Sequence, residues 1–177
     1  MMLDLFSGTG SVAAVFRRAG FTVTTLDMDA HAKPDIVADI MQWDYTSISP
    51  KNFHTILAAP PCTEYSQALT SRPRNMEKAD AIVRCTLAII DSFKPVCWYL
   101  ENAHTGHLKE HGILDTHPSI RSDYCQFAPW GYHKPTRVWG TVAGLEDVVC
   151  DKKVCPNVTL QTDPEWETVT RRHRVRL

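Results

Sequence analysis

Apolar residues along this chain fall in short blocks, each closed by a glycine, a proline or an acid. Met2 to Phe6 is an apolar run interrupted at Asp4 and followed by Ser7-Gly8-Thr9-Gly10; Val12, Val15, Phe16 and Ala19 then recur at helical spacing. The pattern predicts a strand, a tight turn and a helix over Ser11 to Ala19 that Gly20 ends. Phe21 to Leu26 alternates and is rich in β-branched residues, which predicts a second strand ending at Asp27, and Asp35 to Ala38 predicts a third ending at Asp39. Phe53 to Ala59 predicts a fourth, closed by Pro60-Pro61-Cys62. Ala79, Ile82, Val83, Thr86, Leu87 and Ile90 mark a helix over Met76 to Phe93 that stops before Pro95, and Val96 to Leu100 predicts a fifth strand ending at Glu101-Asn102.

Nearly all-apolar strands that alternate with helices predict an α/β fold: a doubly wound, mostly parallel, Rossmann-like sheet with helices on both faces. Ligands of such sheets sit outside the carboxyl ends of the strands, where Gly8, Gly10, Asp27, Asp39, Cys62 and Glu101 all stand. Beyond Gly112 the pattern weakens. Tyr124 to Trp139 is aromatic and punctuated by glycine and proline, which reads as hairpin-like, and Val142 to Thr170 shows no strong periodicity. The expectation is a single domain over residues 1–177, with a core over 1–140 and a short irregular extension over 141–177.

Length and composition agree with one domain: 177 residues, 44% hydrophobic and 22% charged. A formal net charge of -1 removes bulk basicity as an argument for nucleic-acid binding. Local clusters remain, with Arg72, Arg74 and Lys78 after the Pro-Pro-Cys turn and Arg171, Arg172, Arg174 and Arg176 near the carboxyl end. No apolar run is long enough to span a bilayer and no secretion signal is visible, so a soluble protein without a membrane partner is expected, cytoplasmic or nucleoid-associated. Its six cysteines then read as reduced thiols. Cys150 and Cys155, with His133 or Cys125, offer zinc ligands, but their spacing lacks a matching second pair and no metal is expected. Trp98, Trp130, Trp139 and Trp166 read as core or interface aromatics.

Certain residues point to chemistry. The turn Phe6-Ser7-Gly8-Thr9-Gly10 lies between strand and helix, where glycines admit a ligand to the backbone and the helix start offers free N–H groups. Asp27 and Asp39, one strand apart, have the acceptor geometry for a ribose diol and an adenine amine, which suits a nucleoside-bearing cofactor. Cys62 follows two stiffening prolines among polar neighbours, the setting of an exposed thiol rather than a structural one; as thiolate it is a competent nucleophile. Glu101 at the neighbouring strand end, its pKa raised by burial, is expected to donate to a ring nitrogen.

Asp4-Leu5-Phe6-Ser7-Gly8-Thr9-Gly10, Pro60-Pro61-Cys62 with Ser66 four residues on, and Glu101-Asn102 resemble, in order and approximate spacing, the motifs of the C5-cytosine DNA methyltransferases, over roughly Met1 to Gly140. The resemblance implies S-adenosylmethionine as cofactor, bound by Phe6, Ser7, Gly8, Gly10, Asp27, Asp39 and Pro60. It implies that Cys62 attacks C6 of a flipped cytosine in duplex DNA while Glu101 engages N3 and the exocyclic amine, activating C5 toward methyl transfer. Tyr124-Cys125-Gln126-Phe127 and Lys134-Pro135-Thr136-Arg137-Val138-Trp139 are similar to the variant of the family's Gln-x-Arg-x-Arg segment in small phage-type members. Arg137 matches the second arginine and is expected to support the base and Cys62; Pro135 stands where the first would be, His133 takes the glutamine position, and Lys134 substitutes by charge. Ser66, Arg72, Arg74 and Lys134 are expected to meet the nucleic acid.

The family's long target-recognition region and final asparagine-bearing segment have no counterpart in the 37 residues after Gly140, so a short or loosely specified target, or a partner that supplies recognition, is expected. Compactness suggests a phage or mobile element as source and is compatible with a monomer. Alternatives are an RNA cytosine C5-methyltransferase and a non-catalytic remnant that binds cofactor or nucleic acid.

Overall fold

A computed structural model describes residues 1–49, 52–127, 133–151 and 155. Its centre is a seven-stranded sheet of order β3-β2-β1-β4-β5-β7-β6. The strands are β1 (Met2–Leu5), β2 (Val23–Asp27), β3 (Ile36–Val37), β4 (Thr55–Ala58), β5 (Cys97–Ala103), β6 (Ser119–Asp123) and β7 (Pro135–Gly140); the helices are α1 (Ser11–Arg18) and α2 (Met76–Phe93). β1 to β5 pair in parallel, and β7 runs antiparallel between β5 and β6. The doubly wound, mostly parallel sheet expected from the alternation is present.

The β1-α1-β2 crossover moves one way across the sheet and β4-α2-β5 the other, so the right-handed rule places the two helices on opposite faces. Burial follows that alternation. Leu3 and Leu5 pack with Leu26, Ile56 and Ala58 against Ile89, Ile90 and Phe93 of α2, whereas Met2 packs with Val23 and Ala13 of α1. Asp4 shares the α1 face with Met2 and is 2% exposed.

Two boundaries depart from expectation. β5 continues through Glu101 and Asn102 to Ala103 because β7 pairs with it, in register Leu100 to Trp139, Glu101 to Val138 and Asn102 to Arg137. A Cβ at Gly140, whose φ is 122°, would run into Trp98, so this close approach requires glycine. The hairpin expected from Tyr124 onward has its first strand earlier: β6 is Ser-Ile-Arg-Ser-Asp, too polar to show a buried face. The extension lies along this edge, with one parallel bridge from Ser122 to Val148. Behind it Cys125, Cys150 and Cys155 are buried, none of them in a disulfide. Burial and the Cys125 and Cys155 sulfurs push the Cys150 thiol up to about 12. Among the described residues no helix is long and apolar enough to cross a membrane.

Candidate active site

The strand ends carry the site, beginning with the turn after β1. Phe6, Gly8 and Gly10 have φ values of 61°, 50° and 72°, which give the turn its left-handed course; at the two glycines a Cβ would meet nothing within 4 Å. A bulky aromatic at positive φ is a strained position that the neighbouring packing must hold. Phe6 packs against the main core. Asp27, ending β2, accepts from Gly8 N at 2.8 Å and from Asp29 N at 2.9 Å, so its carboxylate ties the first two loops together. Asp39 accepts from Met41 N at 3.0 Å. Among the described residues, Asp4 Oδ2 and Ser7 Oγ are buried side-chain atoms with no hydrogen-bond partner. Burial pushes Asp4 up to about 6, partly offset by the Ala13 N–H.

The loop after β4 is held at both ends. Pro60 is buried, and its carbonyl accepts from Asn102 Nδ2 at 3.0 Å; Asn102 is itself only 1% exposed. Cys62, exposed, is two residues beyond that clamp, and Glu101 is one residue before it. Further on, Tyr65 is fully buried, donates to Asp80 Oδ1 at 2.8 Å and accepts His107 N at 3.0 Å through its carbonyl. The arginines expected to meet nucleic acid close the loop on itself: Arg72 donates to Glu64 Oε2 at 3.0 Å, and Arg74 to the Ser66 carbonyl at 2.9 Å. Arg72 and the Asn75 N–H hold Glu64 at about 2, well below its ordinary range.

Glu101 is partly buried. Lys134 Nζ lies 3.7 Å from its Oε1, Tyr124 Oη donates to the same oxygen at 3.4 Å, and the Lys134 ammonium sits 4.8 Å from the Tyr124 ring centroid. Arg137 is not in this group. It is in register with Asn102 rather than Glu101, which puts it on the other face of the sheet, where it bonds His104 Nδ1 at 3.2 Å and Ser119 Oγ at 2.6 Å. Burial and the Arg137 charge lower the His104 pKa.

A family model, C-5 cytosine-specific DNA methylase, matches residues 1–133. The chain is also 34% identical over 172 residues to a Frog virus 3 (isolate Goorha) protein named a probable DNA (cytosine-5)-methyltransferase, a match over 89% of this chain and 78% of the relative. This chain belongs to the C-5 cytosine-specific DNA methylases. Among solved structures, the Entamoeba histolytica methyltransferase EhMeth matches with TM-score 0.59 and 15% identity over 78% of this methylase and 52% of that chain. The S. pombe Dnmt2 methyltransferase matches with TM-score 0.54 and 14% identity over 78% and 49%. At these identities the likeness is one of fold, and the methylase spans about half of each structure's length.

Sequence reasoning on this methylase overlooked several positioning groups. Asn102 entered only as part of the Glu-Asn pair, and its clamp on Pro60 has no local signal. Asp123 was missed because the polar β6 was not read as a strand, and Tyr124 entered only as the start of a motif segment, not as a partner of Glu101. The strand parity that separates Arg137 from Glu101 was available in principle, once β5 and β7 were paired residue by residue.

Proposed function

We propose that this methylase transfers a methyl group from S-adenosylmethionine to C5 of a cytosine flipped out of duplex DNA, with Cys62 as the nucleophile. The observation that carries the reading is the Asn102 to Pro60 bond, which anchors the Pro-Pro-Cys turn beside the end of β5 bearing Glu101.

The residues present fit the cofactor. The open glycine turn, with the buried unpartnered oxygens of Asp4 and Ser7 at its base, is a polar cradle that a Cβ on Gly8 or Gly10 would begin to fill. Phe6 offers a face to adenine, Ser7, Gly8, Gly10 and Pro60 line the methionine side, Asp27 takes the ribose and Asp39 the adenine amine. When bound, the cofactor supplies an electrophilic methyl carbon. For the base, a Cys62 thiolate forms a bond to C6 while Glu101 donates a hydrogen bond at N3, and ring electron density moves to C5. After C5 has gained the methyl group, its proton passes to water, the C5–H electron pair re-forms the C5–C6 double bond, and the Cys62 thiolate leaves. A base still in its stack hides C6, hence flipping.

Lys134, beside Glu101 and over Tyr124, is the cation placed to support the ring. Arg137 positions β5 through His104 and Ser119. Ser66, Arg72 and Arg74 shape the Cys62 loop first; a phosphate would reach Arg72 by displacing Glu64.

The test is a mechanism-based trap. Duplex DNA carrying 5-fluorocytosine, with saturating S-adenosylmethionine, should yield a stable covalent complex that Cys62→Ser abolishes. Adduct with 5-fluorocytidine in structured RNA instead of the duplex would reassign the substrate, and adduct with neither would end the proposal.

A further inference from the structure

Away from the candidate active site, the Sγ atoms of Cys125, Cys150 and Cys155 all lie within 4.8 Å of one another, and their residues are 0%, 8% and 8% exposed. We infer that these three thiols form a structural site for a soft divalent cation, zinc(II) in the first instance.

Three arguments converge. Thiols hydrogen-bond weakly, and a lone half-buried one settles against a neighbouring oxygen, as Cys85 does at the Ile40 carbonyl (3.3 Å) and Cys97 at Thr55 Oγ1 (3.2 Å); three buried side by side make poor use of a core. The spacing suits a metal. Tetrahedral Zn–S bonds of about 2.3 Å put sulfurs roughly 3.8 Å apart, within reach of small side-chain rotations from the present arrangement. Hydrogen-bonding groups also surround the sulfurs. Gln126 Nε2 donates toward Cys155 Sγ at 3.5 Å and toward Cys125 Sγ at 3.8 Å, and Cys150 N donates to Asp123 Oδ2 at 2.8 Å, fixing the backbone of one ligand. Amide N–H groups aimed at sulfur and a hydrogen-bonded backbone are the outer-layer supports that ligand thiolates use.

Binding displaces the three thiol protons to solvent and moves no electrons. Three thiolates leave one tetrahedral position, which we assign to solvent. The three ligands come from the turn after β6 and from the extension, so the ion would staple the extension to the sheet edge. It would also hold Tyr124, next to Cys125, against Glu101. The inference does not depend on methyl transfer.

The test uses the full chain purified without chelator. Metal analysis should find one zinc per chain, lost in Cys150→Ser and Cys155→Ser and kept in Cys85→Ser. In case the serine variants do not fold, wild-type protein stripped by chelator and titrated with cobalt(II) should develop thiolate-to-cobalt charge-transfer and tetrahedral d–d absorption that saturate at one equivalent. Purified wild-type protein without zinc that gives no such absorption would overturn the inference. So would a disulfide between any two of the three, seen by mass spectrometry.

Discussion

The middle of the sheet and its β6 edge treat buried polar groups in opposite ways. On β1, the third of the seven strands in order, Asp4 is buried with one carboxylate oxygen and the nearby Ser7 hydroxyl unpartnered, and burial lifts its pKa to about 6. At the β6 edge, Asp123 is fully buried yet saturated: it accepts from Arg121 Nε and Nη2 at 2.9 and 2.8 Å, from His133 Nε2 at 2.9 Å and from Cys150 N at 2.8 Å. Burial alone would raise it, but Arg121, the Cys150 N–H and His133 together hold it at about 2. Proteins leave buried polar groups unmatched where a ligand or reaction will use them, and match them where they only hold structure. The contrast is the one expected of ligand binding beside β1 and of a structural role at the β6 edge, and it does not depend on any motif.

The same chemical change should then have opposite signs at the two positions. Asp123→Asn leaves Arg121 without its anionic partner and removes an acceptor that three groups share, the kind of break that costs about 3 to 5 kcal/mol. Urea unfolding at pH 7 should show the loss. Because the folded carboxyl titrates near 2 against an ordinary value of 3.8, the stability it contributes is complete above the ordinary value and disappears as pH falls toward 2, so variant and wild type should converge in acid. Asp4→Asn should stabilise instead. Its folded carboxyl titrates near 6, so ionised Asp4 penalises the fold above pH 6 by about 3 kcal/mol, and that penalty fades as pH falls from 6 to 3.8. Unfolding at pH 8 should find the variant more stable, with the gain absent at pH 4, while S-adenosylmethionine binding weakens. Two variants moving in the same direction at pH 8 would collapse the comparison.

How far the sequence disclosed this follows the same division. β1 to β4 and both helices stand within a few residues of where apolar spacing, Gly20 and Pro95 put them, because each packs one regular face into the core. The glycine turn, Asp27, Asp39 and Cys62 were legible because parallel sheets place ligands at strand ends. The β6 edge was not. β6 is held by ladder hydrogen bonds and by Arg121, Asp123 and Asp147 rather than by an apolar face, so no periodicity announces it. The sequence offers Cys150 and Cys155 as ligands with either His133 or Cys125, but local spacing does not choose between them; Cys125 is the neighbour because the extension turns back along the sheet edge.

The smallest effect probes the join between the two regions. Asn102 belongs to β5, next to the β7-β6 hairpin, but its side chain donates to the carbonyl of Pro60 in the loop that follows β4 and carries Cys62. Asn102→Ala leaves the Pro60 carbonyl unmatched and also removes the acceptor of the Ala103 N–H, a loss of about 1 to 2 kcal/mol in unfolding free energy, below either aspartate variant. Its effect on activity should exceed its effect on binding. Pro60, which Asn102 bonds, is one of seven residues proposed to hold S-adenosylmethionine, so affinity should fall by no more than a few-fold, whereas freeing the turn two residues before Cys62 should lower kcat by tenfold or more through lost orientation of the thiol. A variant that lost cofactor affinity and kcat together would mean that the loop and the cofactor pocket move as one body. Unchanged kcat would mean that Pro60 and Pro61 hold Cys62 in place without the clamp, so that the bond between β5 and the loop after β4 adds nothing to catalysis.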